Sequence, residues 1–186
     1  MKLLGISGSL RKNSFNSGLL EAACTLLPEG VEMTLVGCGD IPLYNKDLDT
    51  DTKPESVRLL LQAIRYADGI VFACPEYNYS ISGVLKNAID WASRPAYASV
   101  LAHKPAAVLC ASQGPVGGAR AHAHLCQVLG ATLTPVVPAP PFLVSSAGDK
   151  FSSDGRYVDE EGRKRLARYL GDFTAWVRRL DTELSA

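Results

Sequence analysis

Gly8-Ser9-Leu10-Arg11-Lys12-Asn13-Ser14-Phe15-Asn16-Ser17 follows the apolar run Leu3-Leu4-Gly5-Ile6 and precedes an amphipathic helical pattern. The chain therefore starts as strand, polar loop, helix. A loop of this kind can aim backbone N–H groups and a helix N-terminus at an anion. The hydroxyls of Ser9, Ser14 and Ser17 and the amide of Asn16 are short donors suited to phosphate oxygens. Arg11 adds a permanent charge with a planar fork of donors. Strand–helix loops usually run about 2–6 residues, so the length of this one favours a site. An ordinary connection with a serine or asparagine N-cap is the other reading.

Outward from this stretch the pattern repeats. Leu19, Leu20, Ala23, Leu26 and Leu27 make one apolar face of a helix starting near Asn16 or Ser17, and Pro28 with Gly30 ends it. Val31 to Val36 alternates, with Val31, Met33 and Leu35 on one side, as an outer strand would. A polar connection holding Ile41-Pro42-Leu43-Tyr44 leads to a helix over Glu55–Ala67. Ile70-Val71-Phe72-Ala73-Cys74 and Pro105 to Ala111 are continuous apolar runs, which belong in a sheet buried on both faces. Helices are expected over Ser82–Trp91 and Ala119–Leu129, and a fifth strand around Thr132 to Val137. Pro138 to Asp154 reads as irregular. A last helix over Asp159–Leu184 carries a seam of Leu166, Leu170, Phe173, Val177, Leu180 and Leu184, placed to pack on the sheet or on another subunit. Strands alternating with helices predict a single α/β domain over residues 1–186, with a doubly wound parallel sheet. Ligands bind such sheets at the carboxyl ends of the strands. The loops after strands one, three and four all open there.

Bulk properties narrow the class. With 19 basic and 19 acidic residues the net charge is zero, and no basic stripe points to nucleic acid or an anionic membrane. Hydrophobic content of 47% and charged content of 20% fit a soluble globular protein. The five cysteines are scattered, without the close pairs of a zinc or thioredoxin-like motif, so reduced thiols in a cytoplasmic protein are expected. No signal peptide and no membrane span are read from the sequence. Cys74 is expected as a buried strand cysteine rather than a redox centre. His122 and His124, two apart on a helix, are expected at the surface rather than as metal ligands, and no metal site is predicted.

The second loop, Pro75-Glu76-Tyr77-Asn78-Tyr79-Ser80, sets two aromatic rings beside polar groups, a combination suited to a flat heterocycle. A tyrosine-bearing turn that merely covers the sheet is the alternative. The third loop offers close backbone approach at Gly114, Gly117 and Gly118. Neither a Gly-x-Gly-x-x-Gly fingerprint nor a Walker lysine motif is present, which disfavours a standard dinucleotide or NTP loop.

Taken together, the first loop, Pro75–Ser80, Leu85-Lys86-Asn87-Ala88-Ile89-Asp90-Trp91 and Gly117-Gly118-Ala119-Arg120 resemble the NADPH-dependent FMN reductase family, in particular its bacterial quinone and chromate reductase branch. The resemblance implies a flavodoxin-like three-layer α/β/α fold with a five-stranded parallel sheet of order 2-1-3-4-5. It implies that Ser9, Arg11, Ser14, Phe15 and Asn16 hold the FMN phosphate. Glu76, Tyr77, Asn78 and Tyr79 would line the isoalloxazine ring, and Ser112 would lie against its polar side. Lys86, Asn87, Asp90 and Trp91 would have supporting roles. Two departures stand out. Many relatives have a tyrosine-histidine pair where Ala123-His124 stands, and Pro-Glu where Pro140-Pro141 stands. Both positions are associated in the family with subunit contacts around the Arg120 equivalent, and a homodimer or homotetramer is implied.

The expected activity is FMN-dependent NAD(P)H oxidoreduction. A nicotinamide passes hydride to the flavin, and a quinone, free flavin, azo dye or metal oxyanion such as chromate then takes the electrons in a ping-pong sequence. The flavin carries the chemistry, and no side-chain acid or base is named. No residue decides between NADH and NADPH. A flavodoxin-type electron carrier is the rival, but such carriers are usually strongly acidic. A non-flavin binding module on the same fold is the other rival, because fold alone never fixes function.

Overall fold

In the computed structural model, which describes residues 1–184, five parallel strands stand in the order β2-β1-β3-β4-β5. They are β1 (Lys2–Ser7), β2 (Glu32–Gly37), β3 (Gly69–Ala73), β4 (Ala106–Ala111) and β5 (Phe142–Val144). The helices are α1 (Phe15–Cys24), α2 (Glu55–Tyr66), α3 (Gly83–Ala92), α4 (Ala119–Ala131) and α5 (Glu160–Leu184). Every residue of β3 and β4 is buried, as their unbroken apolar sequences require. β2, at the sheet edge, is mostly exposed. This is the flavodoxin-like topology implied by the resemblance.

Two apolar clusters sandwich the sheet. Leu4, Ile6, Ile70, Phe72 and Val108 meet Leu60, Ile64, Leu85, Trp91 and Leu125 from α2, α3 and α4 on one face. Leu3, Val71, Ala107 and Leu109 meet Leu19 and Ala23 of α1 and the α5 seam on the other. Leu166, Leu170, Phe173 and Val177 of that seam are buried here, so it packs on the sheet. The side chains of Glu183 and Leu184, like residues 185 and 186, lie outside the described residues. Trp91 is a core residue, its indole N–H donating to the Pro42 carbonyl at 2.8 Å.

Three sequence expectations need correction. Residues 132–137 do not form the fifth strand: the edge is split in two. The Pro135 carbonyl accepts from Ala106 N–H and Val137 N–H donates to the Ala106 carbonyl, a single bridge at Val136. Pro138, Pro140 and Pro141 then follow, and prolines cannot donate to a ladder. Pairing resumes only at Phe142–Val144 against Leu109–Ala111. The 138–154 stretch is therefore not wholly irregular. It ends in a small hairpin in which Phe151 bridges Tyr157 antiparallel. The first helix also starts earlier and stops sooner than expected, with Ser14 as its N-cap and Cys24 as its last residue.

Candidate functional site

The first loop becomes a cradle because Ser14 caps α1. Its Oγ accepts from the N–H groups of Asn16 at 3.2 Å and Ser17 at 3.5 Å, which leaves its own O–H to donate elsewhere. Ser9 Oγ accepts from Arg11 N–H at 3.3 Å. The Arg11 guanidinium lies 4.8 Å from the Phe15 ring centre, a cation–π contact that holds the charge beside the helix start. Among the described residues, the peptide N–H groups of Leu10, Lys12 and Asn13 find no protein partner. Unsatisfied N–H groups, a helix N-terminus and a guanidinium together make a donor set of the kind that suits an anion. The donor set fits a phosphate ester.

The three donor-rich loops meet, and each pair is tied by bonds between residues far apart in sequence. Ser82 Oγ, at the end of the second loop, donates to the Gly8 carbonyl at 2.6 Å. Asn16 Nδ2 donates to the Ala111 carbonyl, and Asn16 Oδ1 accepts from Ala111 N–H, both at 3.0 Å. Glu76 accepts from the N–H groups of Arg120 at 3.0 Å and Ala121 at 3.3 Å. Its other oxygen meets Arg120 Nη1 at 2.9 Å.

These ties settle what several side chains are doing. Asn16 is buried and both ends of its amide are occupied, so its amide locks the cradle to β4 instead of facing outward. Ser17 is likewise committed, its hydroxyl 2.8 Å from that of Ser7. Glu76 caps α4, whose own N-cap, Gly118, has no side chain to do so. Burial pulls the Glu76 carboxyl upward, yet the hydrogen bonds from Arg120 and Ala121 outweigh this and hold it below its ordinary range. The Arg120 guanidinium also lies over Tyr79, 4.1 Å from the ring centre.

Between Tyr77 and Ser80 the backbone makes a tight reversal closed by two hydrogen bonds of 3.0 Å. Asn78 and Tyr79 both have left-handed backbones, φ 50° and 65°. That is the mirror-image two-residue turn, usually given to Asn and Gly. A tyrosine there is strained. The turn leaves Tyr77 and Tyr79 more than half exposed. Ser112, half-buried, accepts from Gly114 N–H at 3.2 Å and keeps its hydroxyl proton for another partner. Gly118, at φ 87°, brings the third loop so close to β4 that a Cβ would stand 2.9 Å from Cys110 Cβ.

The hairpin at 151–157 was not read from the sequence. Asn13 Nδ2 donates to the Ser153 carbonyl at 3.3 Å, and Phe151 packs against Phe15 with the rings tilted and their centres 4.9 Å apart. A Cβ on Gly18 would collide with the Gly155 carbonyl, so α1 and the hairpin touch backbone to backbone. Ser152-Ser153-Asp154-Gly155 between two aromatics was the available signal, since Asp-Gly marks tight turns.

Cys74 is buried, and burial pushes its thiol up to about 12, so it rests as a thiol beside the site. His124 Nδ1 lies 3.1 Å from Ser80 Oγ. Half-buried His122 is 3.7 Å from Cys126 Sγ, and burial lowers its pKa. Among the described residues no group of three or more His, Cys, Asp or Glu is placed to hold a metal. None of the described helices is long and apolar enough to cross a membrane.

Comparison with known proteins places this geometry in context. Residues 1–149 match the family of NADPH-dependent FMN reductases. An NAD(P)H-dependent FMN reductase of Pseudomonas aeruginosa is 46% identical over 180 residues, 97% of each chain. A 2-hydroxy-1,4-benzoquinone reductase of a Burkholderia species is 39% identical over 178 residues, covering 96% of this chain and 97% of its own. Among solved structures, a flavoenzyme NAD(P)H:(acceptor) oxidoreductase of Paracoccus denitrificans superposes with a TM-score of 0.86 at 36% identity. The match covers 96% of this chain and 97% of that one.

Proposed function

The chain belongs to the NADPH-dependent FMN reductase family, and we propose that it is an FMN-dependent NAD(P)H oxidoreductase delivering electrons to small acceptors, quinones first among them. Free flavin, azo compounds and oxyanions such as chromate complete the proposed acceptor set. The observation that carries this reading is the pairwise tying of three loops around an anion cradle with unsatisfied donors.

Bound FMN would supply a ring that takes hydride from the nicotinamide and gives two electrons to the acceptor. The chain's part is to hold and orient. Arg11, the free N–H groups of the first loop and the start of α1 seat the phosphate. Ser9 fixes the loop by accepting from Arg11 N–H, and Ser14 can add its O–H. Phe15 steadies the guanidinium. Asn16 joins the phosphate cradle to the strand that carries Ser112 at its end. The tight turn offers Tyr77, Asn78 and Tyr79 to the ring, while Glu76 and Arg120 brace that turn against α4. No side chain is assigned proton transfer. Cytoplasmic location and assembly as a homodimer or homotetramer belong to the same proposal.

The test is direct. Purified protein should be yellow, or become so with added FMN, and NADH or NADPH should bleach it rapidly and saturably without oxygen. Protein that stays colourless with added FMN would end the proposal. Slow, unsaturable reduction would leave only an electron carrier.

A further inference from the structure

The hairpin at 151–157 lies beyond residue 149, where the family match ends, yet it bears on the phosphate cradle at two points. The first is Asn13. Its backbone is left-handed, φ 56°, and the N–H groups of Lys12 and Asn13 have no protein partner among the described residues. Successive N–H groups in such a turn point to one side and make a concavity for an anion. Asparagine tolerates this conformation better than most residues, but something must hold it there. The hairpin does so twice. Its Ser153 carbonyl accepts from Asn13 Nδ2, and Gly155, itself at φ 87°, sits so close that a Cβ would stand 2.9 Å from Asn13 Cα. The second point is Phe15, whose ring lies under the Arg11 guanidinium and packs against Phe151.

The hairpin is itself fixed. Ser152 N–H donates to the Arg156 carbonyl at 2.9 Å, and Gly155 N–H to the Ser152 carbonyl at 2.8 Å. The Asp154 carboxylate is engaged inside the turn, by Ser152 Oγ and by Arg156 Nε at 2.8 Å. At the base, buried Tyr157 packs on Phe151 with ring centres 4.8 Å apart. The Tyr157 carbonyl accepts from Arg163 Nη1 at 3.3 Å, and Nη2 of the same side chain donates to Thr25 Oγ1 at 3.3 Å. α5 is thereby tied, through the hairpin, to the loop that opens α1.

We infer that this hairpin is a positioning element for the cofactor phosphate: it holds Asn13 left-handed in advance, so the donors of the first loop need not be ordered when FMN binds. The inference rests on the reductase reading above and assigns part of the phosphate affinity to Gly155, which acts only through Asn13. Donors fixed beforehand bind more tightly because association loses less conformational freedom. A hairpin that merely supported the fold would not distinguish a flavin with a phosphate from one without.

The experiment titrates FMN and riboflavin, which share the ring and differ by the phosphate, into the unaltered protein, Asn13→Ala, Asn13→Gly and Gly155→Ala. Flavin fluorescence reads binding, and urea unfolding of each protein reads stability. The unaltered protein should bind FMN more tightly than riboflavin. Asn13→Ala loses the bond to Ser153 and disfavours the left-handed backbone, so FMN affinity should fall about tenfold. Asn13→Gly keeps that backbone accessible and should lose only about threefold. Gly155→Ala presses on Asn13 from the hairpin and should cost about tenfold. Riboflavin affinity should not change in any of them. Equal falls for the two flavins, or a folded Gly155→Ala that keeps full FMN affinity, overturn the inference and leave the reductase reading standing. Should Gly155→Ala not fold, the Asn13 variants decide: equal FMN affinities in Ala and Gly overturn the inference. Unaltered protein that binds both flavins alike removes the phosphate cradle and the inference with it. Unaltered protein that binds neither overturns the reading itself.

Discussion

At the carboxyl edge of the sheet the N-termini of α1, α3 and α4 face loops dense in donors; Glu76 answers that positive field at α4, and Arg11 adds to it at α1. At the amino edge the arrangement inverts. α2 ends at Tyr66, and its terminal carbonyls at Arg65 and Ala67 are met by the Lys104 ammonium. A cavity of about 750 Å³ lies there, lined by Arg65, Asp68, His103, Lys104 and Arg178 among others, and it is larger than a recess of about 460 Å³ beside the cradle. Size therefore does not mark the site. A parallel sheet with helical crossovers sends helix N-termini to one edge and C-termini to the other. An anionic cofactor belongs at the first edge. At the second, the Lys104 ammonium already serves the end of α2.

The sharpest way to break this contrast is at Asn16. Replacing it by Leu keeps the bulk but leaves the buried N–H and C=O of Ala111 without partners. Each unsatisfied group costs about 1–3 kcal/mol, so a loss of about 3 kcal/mol is expected in urea unfolding, together with weaker FMN binding. Unchanged stability would mean that the loops are not locked through this residue.

Next in size is Arg11→Ala. The side chain is exposed, so folding should be unaffected, while FMN affinity should fall about 10- to 100-fold by fluorescence titration. Arg11→Lys should recover part of the loss, because it keeps the charge and loses the fork. Equal affinities in all three proteins would remove the phosphate from this edge.

Glu76→Gln probes the same edge more finely. The folded carboxyl is held below its ordinary range, so the native state releases its proton more readily than the unfolded chain. Its contribution is complete above the ordinary carboxylate pKa and is lost as pH falls through the depressed one. The variant should be less stable by about 1 kcal/mol at pH 7, the scale of a charge at a helix N-terminus. That gap should close in acid. A gap independent of pH would deny the charge its role.

How far the sequence foretold each edge differs for a physical reason. Buried strands such as Ile70–Ala73 and Ala106–Ala111 announce themselves by unbroken apolar runs, and the site loops by residue type and order. Partner choice is not written in residue type. Asn16 and Glu76 were legible as polar loop residues, but their amide and carboxylate turn to Ala111 and α4 only because folding brings those backbones near. The split edge strand was hidden because Thr132–Val137 has strand-like composition, and the prolines that displace the pairing come after it. The hairpin against Asn13 required a contact 140 residues apart, which no local pattern reports.

Lys104→Met tests the amino edge, where the smallest effect is expected. The ammonium donates to the Ala67 and Arg65 carbonyls, so its removal gives up two hydrogen bonds at the end of α2. Burial lowers its pKa, with Asp68 partly opposing, so the fold holds that charge against a desolvation penalty. Met keeps the apolar stem and relieves the penalty while losing the bonds. The two changes oppose, and the net loss should stay under about 1 kcal/mol, or about 2–4 °C in Tm for a domain of this size. FMN affinity should not change, because this side chain serves a helix C-terminus at the edge opposite the cradle. If affinity fell as it should in Arg11→Ala, the two edges would not be electrostatically independent, and the argument from helix polarity would fail with them.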